Sequence, residues 1–182
     1  MGLPTPSLAV LPLLAAFSRY GEALDWAREQ AEAAWGLLDA ASPRFEFAET
    51  DYYTAEMGPG LLKQFFVFAP SNRWPERLAA VKRQTNDWEQ AYANLGRHPE
   101  PRPLNLDPGY LTLAKLVLAS TKDHAHRIYL ADGIYAEVTL HRKHGRWQAT
   151  EWTFPDYRRS EYHDFFSACR ERLRPGREER HA

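Results

Sequence analysis

Two dipeptides, Asp132-Gly133 and His144-Gly145, constrain this chain more than any other feature. Each consists of residues suited to the left-handed conformations of a two-residue hairpin loop. Residues 126–154 therefore read as a three-stranded meander. With two-residue loops, Ala131 opposes Ile134 and Lys143 opposes Arg146, and every other pair follows: Ile128 opposes Glu137, and Glu137 opposes Trp152. One face then carries His126, Ile128, Leu130, Tyr135, Glu137, Thr139, Thr150 and Trp152, while Ile134, Ala136, Val138 and Leu140 point the other way. Both faces are mostly apolar, as in a covered sheet.

The segments before the meander alternate in kind. Leu8 to Phe17 reads as a buried strand, with Pro12 pushing it toward a sheet edge or a bulge because proline brings no N–H to the ladder. Gly21 to Leu38 reads as a helix whose stripe is Leu24, Ala27, Ala31, Ala34, Trp35 and Leu38. Arg44 to Glu49 and Leu61 to Ala69 read as strands, joined by a long aromatic loop that ends in Gly58-Pro-Gly60. That loop suits a hinged lid or a plug over the sheet edge. A second helix, Pro75 to Leu95, repeats Leu78, Val81, Thr85, Trp88, Tyr92 and Leu95 at steps of three and four. A Pro-rich linker and a short strand, Arg102 to Leu106, follow.

This order is the ferredoxin-like βαββαβ pattern, an α+β fold with helices on one face of an antiparallel sheet. Residues 8–106 would form that core and 107–173 a C-terminal extension, within one domain of 182 residues. In the extension, Leu111 to Ser120 is a short apolar helix or strand, the meander comes next, and Ser160 to Leu173 closes as a helix. Residues 174–182 read as a frayed, charged tail.

A hydrophobic content of 44% and an aromatic content of 13% give ample material for a core. The net charge of −1 leaves no global electrostatic footprint for nucleic acid. Cys169 is the only cysteine, so neither an intrachain disulfide nor a cysteine-based zinc site is available, and it reads as a small core filler. The apolar start, Ser7 to Phe17, has no basic residue before it and is too short for a bilayer span. A cytoplasmic protein with no membrane partner is the expectation.

Polar groups of catalytic type concentrate between residues 105 and 158. Glu137, on a central strand between an isoleucine and an indole, would lose hydration and so needs a cation or donor beside it. His126 lies diagonally from it on the same face, which makes Glu137 and His126 the leading candidates for acid/base work or shared metal ligation; a buried structural pair suits the same residues. Asp107-Pro-Gly-Tyr110 reads as a turn from which Asp107, as a further catalytic candidate, and Tyr110 could face a ligand. Lys122, His124 and Arg127 could hold an anion ahead of a strand. Asp51, Tyr52 and Glu56 in the long loop are also candidate ligand contacts. So are Asp156 and Arg158 after Pro155, although the last two are expected to pair with each other. Lys82, Asn86 and Glu89 read as a solvated helix shoulder. No Walker loop, dinucleotide fingerprint, Gly-x-Ser-x-Gly elbow or His-Glu-x-x-His is present, and no motif points to a particular cofactor or metal.

Several blocks occur in order: Thr50-Asp-Tyr-Tyr with Glu56-Met-Gly, Asn105-Leu-Asp-Pro-Gly-Tyr-Leu-Thr112, His126-Arg-Ile-Tyr-Leu with Gly133-Ile-Tyr-Ala-Glu-Val-Thr-Leu140, and Trp152-Thr-x-Pro-Asp-Tyr-Arg158. Together they resemble an uncharacterised bacterial family, domain-of-unknown-function family 4416, over nearly the whole chain. The resemblance implies a single-domain type and carries no reaction or catalytic residues. Three functions follow from the residues themselves. The first is a site for a small anionic ligand, such as a phosphate or nucleotide, with proton exchange at Glu137 and His126 and with Asp107 orienting the ligand or Mg²⁺. The second is a non-catalytic interaction or assembly module, for instance a homodimer through an aromatic sheet face or a strand edge. The third, disfavoured by the near-neutral charge, is an RNA or single-strand binder that stacks bases on a ferredoxin-like sheet.

Overall fold

In the computed structural model, which describes residues 3, 5, 7–49 and 53–174, the apolar run near the amino end forms β1 (Leu11–Ser18), buried along its whole length. It lies between β4 (Leu61–Phe68) and β5 (Asn105–Leu111), antiparallel to both. Pro12 is therefore inside a central strand rather than at an edge. The ladder to β4 begins only at Leu13↔Val67, so the missing N–H falls at the strand's first residues, where proline is tolerated.

Among the described residues nine strands form one antiparallel sheet. β2 (Leu38–Ala41) and β3 (Phe45–Phe47) share the outer edge of β4. Beyond β5 come β6 (Lys115–Ser120) and then β8 (Ile134–Lys143), whose far edge is shared by β7 (Ile128–Ala131) and β9 (Arg146–Ala149). Helix α1 (Gly21–Trp35) stops at Gly36, whose φ of 103° favours glycine, and Leu38, expected in that helix, belongs instead to β2. Helix α3 (Trp74–Asn94) carries Pro75 in its first turn, and a one-turn helix, α2 (Thr54–Met57), occupies the long loop.

Alternation along β1 and β4 splits the core in two. Leu14, Ala16, Phe66 and Phe68 pack with Ala23, Leu24 and Ala27 of α1 and with Tyr92 of α3. Leu13, Ala15, Phe65 and Val67 point the opposite way, against Tyr162, Phe166 and Cys169 of α4 (Ser160–Arg170). The fold is thus α+β, with helical cover on both sides of the sheet. No helix among the described residues is long and apolar enough to cross a membrane.

The meander turns form as two-residue loops. Asp132 and Gly133 have φ of 54° and 76°, His144 and Gly145 have 50° and 76°, and Ala131↔Ile134 and Lys143↔Arg146 pair as expected. The outer register differs. Between Tyr129 and Ala131 the ladder takes an extra residue, Leu130, so Ile128 opposes Ala136 and not Glu137. Strand β9 ends at Ala149↔Leu140, because the Thr153 hydroxyl donates to the Thr139 carbonyl at 2.7 Å and turns the chain away. Trp152 therefore lies in a turn, and Glu137 pairs across to Leu118 of β6.

Asp107-Pro-Gly-Tyr110 is not a turn. All four residues lie within β5, hydrogen-bonded along β1 from Leu11↔Leu111 to Phe17↔Asn105. Gly109 is required there by crowding: a Cβ would stand 2.1 Å from the Val117 carbonyl oxygen. The β5–β6 ladder runs only from Leu111↔Leu116 to Gly109↔Leu118, and the next residue, Pro108, brings no N–H to either neighbour. Past that point the two strands part. Asn105 to Asp107 stay with β1 while Ala119 and Ser120 follow β8, and the sheet opens between them.

Candidate functional site

A cavity of about 750 Å³ fills this opening, within the range typical of small-molecule sites. Its walls come from strands on both sides of the opening: Phe17 of β1, Phe47 of β3, Lys63 of β4, Asn105 and Asp107 of β5, and Glu137 of β8. Lys82 and Asn86 reach it from α3, Thr121, Lys122 and His124 from the loop after β6, and Phe154, Asp156 and Tyr157 from the segment before α4.

Most of its charges are already matched. Alternation along β4 puts Lys63 on the same face as Leu61, Phe65 and Val67, where an ammonium needs a partner. Asp156 supplies it at 2.5 Å, with side chains only 4% and 3% exposed, and the rings of Tyr157, Phe47 and Phe17 surround the ammonium at 4.2, 5.1 and 5.4 Å. Lys82 donates to the Leu106 carbonyl at 2.6 Å and to Asp107 at 3.1 Å, and Asn105 donates to Asp107 at 2.8 Å. Burial opposes the charge of Asp107, but the charges of Lys82 and Lys63 and these hydrogen bonds outweigh it, so its pKa is lowered. Arg102 donates to Glu89 at 3.0 Å and to the Asn105 side-chain oxygen. Burial pushes the Glu89 carboxyl up, with Lys82, Arg102 and the Leu106 N–H pulling against it.

Glu137 is buried and fully hydrogen-bonded. Its Oε2 accepts from Arg127 Nε at 2.8 Å and contacts His126 Nε2 at 3.1 Å, and its Oε1 accepts from Thr139 at 3.0 Å. Arg127 in turn donates through Nη1 to the Ser120 hydroxyl at 2.7 Å and the Lys122 carbonyl at 3.0 Å, so its Nη2 is used in none of these bonds. His126 does not line the cavity. It backs Glu137 from behind, stacked on Trp152 at 5.2 Å, and its Nδ1 is buried without a partner among the described residues.

The structure thus brings Asp107, Lys122, Arg127, Glu137 and Asp156 to one cavity, with His126 one layer behind. It does not bring Tyr110, which packs on the other face of the sheet with Val10 and Trp74. Glu56 is also outside, exposed and 3.7 Å from Arg102. Arg158 does not pair with Asp156, which Lys63 has taken; it donates to the Thr150 carbonyl at 2.7 Å and braces the turn. Asp51 and Tyr52 lie outside the described residues, while Tyr53 beside them lines the cavity. Lys63, Lys82, Asn86 and Arg102 carry roles the sequence reading did not give them. For Lys63 the signal was there, a lone charge on the buried face of a Phe-rich strand. Among the described residues no group of three or more His, Cys, Asp or Glu side chains is placed to hold a metal ion.

A family model described as domain of unknown function (DUF4416) matches residues 9–173. The chain belongs to that family. The match runs from just before β1 to the turn after α4, so all the described walls of the DUF4416 cavity fall inside it. No curated protein and no solved structure matches the chain.

Proposed function

We propose that the cavity binds a small anionic ligand of the phosphate or nucleotide kind, and that Glu137, with His126 behind it, handles a proton at that ligand. The observation that carries this reading is convergence: Asp107, Lys122, Arg127, Glu137 and Asp156 come from separate segments to one cavity of about 750 Å³. A merely structural network would need no such opening, and Arg127, held by Glu137, Ser120 and the Lys122 carbonyl through Nε and Nη1, has its Nη2 outside those bonds as a single donor for an anion. The strand order β3-β4-β1-β5 with α1 and α3 on one face, read as a ferredoxin-like core, supplies one wall, and the extension supplies the other.

Thermal unfolding of the full chain against phosphate, nucleotides, phosphorylated metabolites and divalent metals tests this, since a ligand that binds only the folded state raises the midpoint. The midpoint is expected to rise with a phosphorylated ligand and to lose that rise in Lys122→Ala, an exposed side chain, and in Glu137→Gln. Absence of any rise, or equal rises in both variants, would count against it.

One observation favours a second reading, assembly. Ile128, Tyr129, Val138 and Trp152 are exposed at 72%, 57%, 43% and 51% around the β7 edge. A concentration-dependent dimer in sedimentation equilibrium, abolished by Ile128→Lys, is its signature. A monomer at all concentrations would remove it. Single-strand binding has less support, because among the described residues helices pack against both sheet faces, and the exposed rings of Tyr129 and Trp152 lie at the β7–β8 end.

A further inference from the structure

Among the described residues, three buried side-chain polar atoms have no hydrogen-bond partner: His126 Nδ1 and the hydroxyls of Tyr157 and Tyr162. Of these residues only Tyr157 lines the cavity, and it is 1% exposed. A buried hydroxyl without a partner is costly, so it marks a place where something else is meant to bond. Its ring stands 4.2 Å from the Lys63 ammonium, and burial, with the carboxylates of Asp156, Asp107 and Glu137 as smaller causes, holds the phenol proton on and keeps it a donor. Asn86, half-buried on α3, also lines the cavity and makes no side-chain hydrogen bond among the described residues.

The charges near these two groups exclude an anion as their partner. Lys63 is neutralised by Asp156 at 2.5 Å and Lys82 by Asp107 at 3.1 Å, so an anion placed there would meet carboxylates with no surplus cation. What remains is an uncharged acceptor, set among the rings of Phe17, Phe47 and Tyr157. Arg127 is matched too, by Glu137 at 2.8 Å, and what distinguishes its end of the cavity is the exposed Lys122, which stands where solvent reaches.

Resting on the anionic-ligand reading above, we infer that the ligand is a planar heteroaromatic ring joined to an anionic arm. An uncharged ring acceptor takes the Tyr157 hydroxyl proton, Asn86 reads the ring's edge, and the arm lies toward Lys122 and Arg127. Tyr157 is on this account a specificity-determining residue for the ring. Its removal separates ring recognition from arm recognition.

The test is calorimetric titration of the full chain with nucleoside 5′-monophosphates and with ribose 5-phosphate, for wild type, Tyr157→Phe and Asn86→Ala. A neutral hydrogen bond is worth up to about 1.5 kcal/mol, or about tenfold in Kd. At least one monophosphate is expected to bind about tenfold or more tightly than ribose 5-phosphate. Tyr157→Phe should weaken that monophosphate by about tenfold and leave ribose 5-phosphate unchanged, with Asn86→Ala acting in the same direction should the first variant misfold. Equal affinities for monophosphate and ribose 5-phosphate, or variants that bind the monophosphate like wild type, would overturn the inference while leaving an anion site standing. No binding of either probe would overturn both.

Discussion

Lys63 and Asp156 lie 93 residues apart in the sequence and meet with their side chains almost wholly removed from water. Such a pair returns little net stability over an apolar one, but breaking it leaves a bare charge in the core. Asp156→Asn is expected to destabilise the protein by roughly 3–5 kcal/mol in urea unfolding, whereas Arg158→Ala, which removes an exposed brace, should cost about 1 kcal/mol or less. Equal costs would mean that Asp156 is not the partner Lys63 depends on. Gly109 is constrained differently, by the carbonyl oxygen that a Cβ would strike at 2.1 Å, so Gly109→Ala should cost about 3 kcal/mol or more. A midpoint unchanged by that substitution would contradict the close approach. Cys169 gives a pH prediction. Burial pushes its thiol up to about 11, with Arg172 pulling the other way. An unfolded thiol ionises at about 8.5, so the folded state holds the proton longer, and stability declines as pH rises from there and levels off once the folded thiol ionises too. The phenols of Tyr157 and Tyr162, raised chiefly by burial, add to the decline at still higher pH. Stability measured between pH 8 and 10.5 should fall less steeply in Cys169→Ala than in wild type; parallel curves would assign the decline elsewhere.

Elements were legible where local rules and tertiary need agreed. The Asp132-Gly133 and His144-Gly145 turns, the stripe of α3 and the strands either side of the long loop all follow from side-chain period and turn chemistry. Asp107-Pro-Gly-Tyr110 was misread because its residues favour a turn locally, while pairing with β1 and the approach of β6 make it a strand. Strand β2, four residues long, exists only through β4 and has no pattern of its own. The bulge at Leu130 moved Ile128 and the Thr153 hydroxyl moved Trp152, yet Glu137 and His126 still met, because side chains on one face reach across such shifts. What the sequence could not give was Arg127 on Glu137 and Lys82 on Asp107, which depend on where the sheet parts. Helix α4 is a testable element: Phe166 is fully buried against Phe65, Tyr157 and Trp147, and Phe166→Ala should cost roughly 3–5 kcal/mol and uncover that face. A loss under about 1 kcal/mol would mean that α4 is not a working part of the core.

At the scale of the whole molecule, one long sheet is built from two halves that agree only at the Leu111 end of β5. Where they part, cations and carboxylates from both halves close around a common space instead of the strands pairing across it. Cutting the chain between them would therefore divide the cavity, as the same gap that interrupts the sheet creates the site. This makes the cavity the place where a ligand should be felt by both halves at once. The most direct measurement is a ¹H–¹⁵N correlation spectrum of the full chain, titrated with inorganic phosphate and with a nucleoside 5′-monophosphate. The account predicts saturable shifts concentrated at residues 105–107, 118–122, 127, 137, 154, 156 and 157, on both sides of the gap. Shifts confined to the exposed strip at 128–130, or no saturable shift with either probe, would contradict it.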